Sequence, residues 1–333
     1  MLTKRKSGPD LGRVESDLEP GKPFINIFSL FMSSGTAERQ MEYCVSLQLN
    51  AMNSDVRHIY LLAEQREAEV NRQLIDCQLR GRQREKFTLF AGVNATYASL
   101  LHYASRKAGP TQLNVVANTD IVLGNWSEFG SLRGCLWRIY QRWLGLALSR
   151  WEPKECFPSL DRSMRMRRKD VEKVPDLGTY NNLCPVREWA ARSRDVLALN
   201  RRVPTAALRL LDFPPNRLGA ENLLSCVLTS FGFFLYNPCR ELSIFHNHCS
   251  DIRNYPRARI DGDATPNPFT HGRHNATLIN GKYKRCAGHA IEPVELQNSR
   301  VCGLAYRAWN RDKRWELHRW KSPEPKPPTM HTE

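Results

Sequence analysis

The sequence predicts an α/β fold with a largely parallel sheet, and three observations lead to it. Short apolar runs of strand length alternate with segments of helical periodicity, the pattern of strand and crossover helix. The 333 residues, 41% of them hydrophobic, suffice for one substantial core. Polar residues follow one predicted strand directly, at the carboxyl edge where open α/β sheets bind ligands.

Residues 24–31 (FINIFSLF) form a mostly apolar run that ends at Ser33-Ser34-Gly35, hence a buried strand followed by a turn. A helix is expected from Thr36, with Met41, Cys44, Val45 and Met52 on one face and Glu38, Arg39 and Glu42 elsewhere on the cylinder. VRHIYLL (56–62) reads as a second strand, and the charged stretch 64–86 as a solvated helix with a loop. An apolar piece at 87–90 and a helical stretch around 97–108 precede the strand LNVVA (113–117), which runs into Asn118-Thr119-Asp120. LGLALS (144–149) is a further buried strand ending in Arg150-Trp151. Residues 152–190, with Arg162, Arg165, Arg167, Arg168 and Lys169, read as a basic loop. A helix over 221–231 is stopped by Gly232, and 233–236 and 242–246 are the last strands. The order predicts a polar tail (1–23), one α/β domain (24–256), and a basic extension (257–333) whose proline-rich end is disordered.

Forty-nine Lys and Arg against thirty-four Asp and Glu give a net charge of +15, which favours phosphate-bearing partners without choosing among nucleotides, nucleic acid and an anionic membrane face. No run of eighteen apolar residues exists, so no transmembrane segment is expected. The polar N-terminus lacks the apolar stretch of a signal peptide, so the chain is expected to be cytoplasmic. The ten cysteines form no C-x-x-C pair, which argues against a zinc finger; in a cytosolic chain they are expected to be buried free thiols. For the same reason the sequons at Asn94, Asn125 and Asn275 are expected to carry nothing.

Three features carry chemistry. Asp120, at a strand end, offers hard carboxylate oxygen for Mg²⁺ or Mn²⁺, though an Asp there also serves as a cap or turn residue. Glu221 opens a helix, where the dipole favours the ionised form and suits it to accept a proton; it is otherwise an ordinary N-terminal helix charge. His246 and His248 alternate along a strand and so face the same way, either to share a ligand or to pack through hydrogen bonds.

VVANTDI (115–121), ALSRW (147–151), SRDV (193–196), DFPPNRLGAEN (212–222), GFFLYNP (232–238) and IFHNHCSDIRNY (244–255) together resemble the ordered motifs of an uncharacterised group of GT-A-like glycosyltransferases in microbes and large viruses. That group's pattern runs ANSDI, ALSRW, SQDxWIF, DFxLGxxGCDN, AGYxVxNP and YHxHxSxxRNY. Residues 25–50 are similar to its first strand and helix, in which ERQxE recurs. The resemblance implies a GT-A-like, Rossmann-like single domain that moves a sugar from a nucleotide-sugar donor, with a divalent cation, to a glycan, lipid or protein acceptor. It places Asp120 at the metal-diphosphate acid, His246 and His248 at further metal ligands, and Glu221 at the catalytic base, which suits an inverting transfer. Asn118, Arg150, Asp195, Asn222 and Arg253 fall at positions of donor binding or support.

The chain departs from the pattern at three places. Glu221 stands for Asp, Ala220 for Cys, and SRDVLALN lacks the Trp and Phe after the SQD motif. A longer side chain moves the carboxylate by about a bond length, and about 1 Å of misplacement can cost roughly a hundredfold in rate. A rival reading keeps the fold without the chemistry: a nucleic-acid or phosphate-binding protein whose Trp309, Trp315 and Trp320, interleaved with Arg311, Lys313, Arg314, Arg319 and Lys321, stack bases.

Overall fold

The computed structural model describes most of residues 23–250, leaving out chiefly 33–35, 127–142, 153–156, 158–180 and 183–193. Eleven strands are described: β1 (Ile25–Leu30), β2 (Val56–Ala63), β3 (Phe87–Ala91), β4 (Leu113–Ala117), β5 (Ile121–Leu123), β6 (Leu144–Leu148), β7 (Trp151–Glu152), β8 (Asn181–Asn182), β9 (Val196–Leu199), β10 (Phe234–Tyr236) and β11 (Ile244–His246). The helices are α1 (Ala37–Met52), α2 (Glu67–Asp76), α3 (Arg82–Glu85), α4 (Tyr97–Arg106), α5 (Thr205–Leu210) and α6 (Ala220–Ser230).

Seven strands form the main sheet in the order β10-β6-β9-β4-β1-β2-β3. Parallel pairing joins β1 to β2 and β4, β2 to β3, and β10 to β6; β9 alone runs against its neighbours β4 and β6. The fold is therefore the predicted α/β, Rossmann-like, mostly parallel sheet. β1, β4, β6 and β9 are buried along their whole length, as expected of strands covered on both faces. Over one face pack Leu100, Leu101, Ala207, Leu223, Leu224 and Val227 from α4, α5 and α6. A second, four-stranded sheet, β5-β11-β7-β8, carries Val122, Trp151 and Phe245 into a smaller core against Val45 and Leu49 of α1.

Strands read from continuous apolar runs appear nearly where expected. The short β5, β9 and α5 have no counterpart in the sequence expectation; each spans only three to six residues, too few for a clear period, and β9 directly follows the polar Arg194-Asp195. Within the stretch read as a basic loop, Asn181–Asn182 pairs with Trp151–Glu152. The last strand starts at Ile244 rather than Leu242. On α1, Met41 is exposed and Glu42 buried, the reverse of the face assigned from apolar spacing, because Glu42 is buried by polar partners. The tail, the 162–169 basic run, Arg253, the boundary at 256 and the extension with its tryptophans lie outside the described residues.

The free-thiol expectation fails. Cys44 of α1 is bonded to Cys77 at the end of α2, Cys226 and Cys239 are also disulfide-bonded, and among the described residues no cysteine is free. Spacing along a sequence does not reveal cysteines brought together by tertiary packing, as these are across 33 positions. Among the described residues no helix is long and apolar enough to cross a membrane.

Candidate functional site

The carboxyl edge of the parallel strands gathers two polar clusters, and local hydrogen bonds explain their placement. At the first, Ser29 Oγ donates to Ala117 O (2.7 Å) and Thr119 Oγ1 donates to Leu30 O, tying the turn after β4 to the end of β1. Asp120 follows in that turn, at the entry to β5. Asn50 of α1 then fixes β5 from both sides, donating to Ile121 O (2.8 Å) and accepting from Leu123 N (2.9 Å). β11 pairs antiparallel with β5, His246 opposite Ile121, and Asn247 N donates to Asp120 O (2.8 Å). Strand pairing thus delivers His246 to Asp120, across 126 positions of sequence.

His246 Nε2 lies 3.1 Å from Asp120 Oδ2, and His248 Nδ1 3.8 Å from the same atom. One ligand atom from each of the three residues fits within 4.8 Å of the others, a spread that one divalent cation can bridge. Asp120 is 4% exposed, and its Oδ1 is buried with no hydrogen-bond partner among the described residues. An orphaned carboxylate oxygen is costly in a protein interior, and a cation would satisfy it. The residues present therefore fit a metal of the Mg²⁺ or Mn²⁺ kind.

Arg39 and Glu42 complete this cluster, and neither was singled out from the sequence. Thr36 caps α1, its Oγ1 accepting from Arg39 N (3.3 Å), and the Arg39 guanidinium bonds both Glu42 Oε2 and Asp120 Oδ2. Glu42 Oε1 in turn accepts from Ser250 N (2.6 Å), and Glu42 O from Asn247 Nδ2 (3.0 Å). The recurrent ERQxE of the resemblance was the available signal. Burial alone would raise the Asp120 carboxyl, but the charges and hydrogen bonds of His246 and Arg39 hold it well below the usual carboxylate range. His248 is lowered by burial and by the neighbouring Arg39 and His246 charges, which keeps its ring nitrogens available as ligands.

The second cluster forms because β6 and β9 are antiparallel, with Leu148 opposite Val196. Arg150, just past the end of β6, meets Asp195, just before the start of β9, at 2.7 Å. Asn237 holds the chain between β6 and Arg150 by accepting from Ser149 N (3.1 Å) and donating to Ser149 Oγ (2.8 Å). Glu221, in the first turn of α6, turns its carboxylate inward, where Oε2 accepts from Arg194 N (2.9 Å). Arg194 Nη1 reaches Asn222 Oδ1 (3.4 Å). A small cleft is lined by Tyr97, Asn118, Arg194, Asp195 and the side chains of Leu30 and Leu224. Of the residues predicted for donor binding, Asn118, Arg150, Asp195 and Asn222 thus gather at this edge with Glu221.

The helix dipole does not decide the state of Glu221, contrary to expectation. Burial first, then the Asp195 charge, push its carboxyl up to about 7, against the Arg194 N–H and the charges of Arg150 and Arg194. Burial likewise pushes Arg194 down to about 10, with the Glu221 charge opposing, and raises the Tyr97 hydroxyl. A carboxyl raised on folding from its ordinary 4.5 takes up a proton as the chain folds. Its stabilising effect is complete below about pH 4.5 and is lost as pH rises through about 7. Glu221→Gln is expected to remove this loss: urea unfolding at pH 8 should find the variant more stable than the parent by about 1–3 kcal/mol, with the difference shrinking by pH 5.

Gly124 lets β5 and β11 approach. A Cβ there would lie 2.2 Å from Ser243 Oγ, 2.9 Å from Ser243 O and 3.2 Å from Phe245 Cε2. Gly124→Ala is expected to lose about 1–3 kcal/mol of stability. It should also weaken Mn²⁺ binding, because pushing β11 from β5 moves His246 from Asp120. Calorimetric titration of Mn²⁺ into the folded variant measures this.

Comparison with family models and with curated proteins gives no match. Among solved structures, the chain is similar to a mannosyltransferase from Pyrobaculum calidifontis in complex with GDP-Man and Mn²⁺, at 12% identity and a TM-score of 0.41 over 73% of this chain. It spans 65% of that protein's length. It is also similar to a 4-diphosphocytidyl-2C-methyl-D-erythritol synthase from Anaerococcus prevotii, at 12% identity and a TM-score of 0.34, covering 65% of this chain and 88% of that one. Both likenesses are at low identity and concern the fold alone.

Proposed function

We propose that the chain is a divalent-cation-dependent glycosyltransferase that takes a sugar from a nucleoside-diphosphate donor. The observation that carries this reading is the meeting, at one sheet edge, of three ligand atoms within 4.8 Å and a half-buried carboxyl raised to about 7. Mn²⁺ or Mg²⁺, when bound, supplies positive charge for a departing diphosphate. Asp120, His246 and His248 would hold it, His246 releasing its proton as the cation takes that place. Arg39 keeps Asp120 ionised and fixes its orientation from α1. Glu221 accepts the proton of the acceptor hydroxyl, a task that works best when the base titrates near the working pH. The Arg194 N–H orients Glu221, and the Arg194 and Arg150 guanidiniums offer positive charge to the donor, with Asn118 and Asn222 beside them. Arg253 is assigned to donor support on the resemblance alone.

The experiment is calorimetric titration of a panel of nucleotide sugars, with and without Mn²⁺. Binding of at least one donor that depends on Mn²⁺ supports the reading. If no donor binds, and the chain instead binds nucleic acid with a steep salt dependence, the basic phosphate-binding reading replaces it.

A further inference from the structure

The disulfides change the meaning of a motif that a cytoplasmic chain would leave silent. Every described cysteine is bonded, Cys44 to Cys77 and Cys226 and Cys239 as well, which is the cysteine usage of an oxidising compartment. In such a compartment an Asn-X-Thr sequon is an acceptor for N-linked oligosaccharide. Asn94-Ala95-Thr96 is one, and its surroundings are those of an acceptor. Asn94 is exposed, in the connection between β3 and α4, and its carboxamide makes no hydrogen bond among the described residues. The backbone turns tightly there: Thr96 N donates to Asn94 O (2.9 Å), and Ala95 N donates to Glu64 Oε1 (3.0 Å). The turn presents the Asn94 side chain to solvent while Ala95 is buried beneath it.

We infer that Asn94 carries an N-linked glycan and that the chain matures in an oxidising, glycan-transferring compartment. Asn94 Nδ2 forms a bond to the anomeric carbon of an oligosaccharide carried on a polyprenyl diphosphate. The bond from that carbon to the diphosphate oxygen breaks, the carrier leaves as its diphosphate, and the carboxamide loses one proton. Thr96 later caps α4, its Oγ1 accepting from Ser99 N (3.2 Å), so the same residue serves the acceptor motif and then the fold. Asn94 follows β3 at the carboxyl edge, three strands from β4 in the order β4-β1-β2-β3. At about 4.8 Å per strand, the glycan root stands about 14 Å to the side of the strand that leads to Asp120. It flanks the candidate site without covering it.

The inference does not depend on sugar transfer by the chain itself. Its test uses protein isolated from the cells that make it. Trypsin cleaves after Lys86 and Arg106, and peptide 87–106 holds Asn94 as its only sequon. Treatment with peptide N-glycosidase in heavy-oxygen water should convert Asn94 to labelled Asp in that peptide. Thiol labelling of the denatured, unreduced chain should leave Cys44 and Cys77 unmodified. Asn94→Gln should remove one glycan's mass from the intact chain, and Thr96→Ser, which keeps both sequon and cap, should retain it. An unlabelled Asn94 in the treated peptide overturns the site, including when Asn125 or Asn275 is occupied. Reactive thiols at Cys44 and Cys77 overturn the compartment.

Discussion

Glu221→Gln is expected to lower sugar transfer by about a hundred- to ten-thousand-fold while leaving Mn²⁺-dependent donor binding within a few-fold of the parent. Gln keeps the size of Glu and an oxygen that can still accept from Arg194 N, so packing at the start of α6 is preserved. It cannot take up a proton near neutral pH. Single-turnover assays alongside donor titrations separate the two effects. In the parent, the rate should rise with pH through about 7 as the carboxyl ionises, and that limb should be absent from the residual rate of the variant. A variant with the parent's turnover and the parent's pH profile would mean that Glu221 has no part in proton transfer. The same substitution's gain of stability at pH 8 shows independently that the carboxyl was raised, whatever its role.

Asp120→Asn should abolish Mn²⁺ binding in the micromolar range, and with it the metal-dependent part of donor affinity. Groups that merely support a metal ligand cost roughly 10- to 100-fold in affinity when removed, and loss of the charged ligand itself should cost at least as much. The substitution also leaves Arg39 with Glu42 as its carboxylate partner in a largely buried place, so part of the effect would be loss of stability, up to about 3–5 kcal/mol. His248→Asn keeps the Arg39–Asp120–His246 contacts and removes one ligand only. It should weaken Mn²⁺ by at least about tenfold in a chain that melts like the parent. Parent-like Mn²⁺ affinity in His248→Asn, and in Asp120→Asn as folded protein, would dismiss the metal centre.

The placement of Asp120 and the histidines at a sheet edge is legible in the sequence, for a physical reason. Asp120 ends a strand of unbroken apolar character, and the histidines alternate at the end of another; local periodicity suffices to place such residues at a sheet edge. Arg39 was not legible because helical spacing sorts residues by hydrophobicity, and a cation buried by two carboxylates looks the same in sequence as a solvated one. The raised Glu221 carboxyl was likewise hidden. The helix dipole is a local effect readable from position, whereas burial and Asp195 act only after β9 has paired with β6 and α6 has closed over the sheet. The disulfide between α1 and α2 belongs to the same class, being a property of packed helices rather than of spacing.

The reversed direction of β9 bears on how such a chain could vary. Because β6 and β9 are adjacent and antiparallel, the excursion over residues 149–195 leaves the sheet and returns to it at one edge, its ends facing each other across a single strand pair. A loop with anchored, neighbouring ends costs little to extend: each doubling of length adds only about 0.6 kcal/mol of closure entropy. Trp151–Glu152 and Asn181–Asn182 within the excursion pair in the second sheet, so added length is expected to leave both registers unchanged where it falls between β7 and β8, with Arg150 and Asp195 still paired at the two roots. The length of this one segment can therefore change while the residues at its base stay in place.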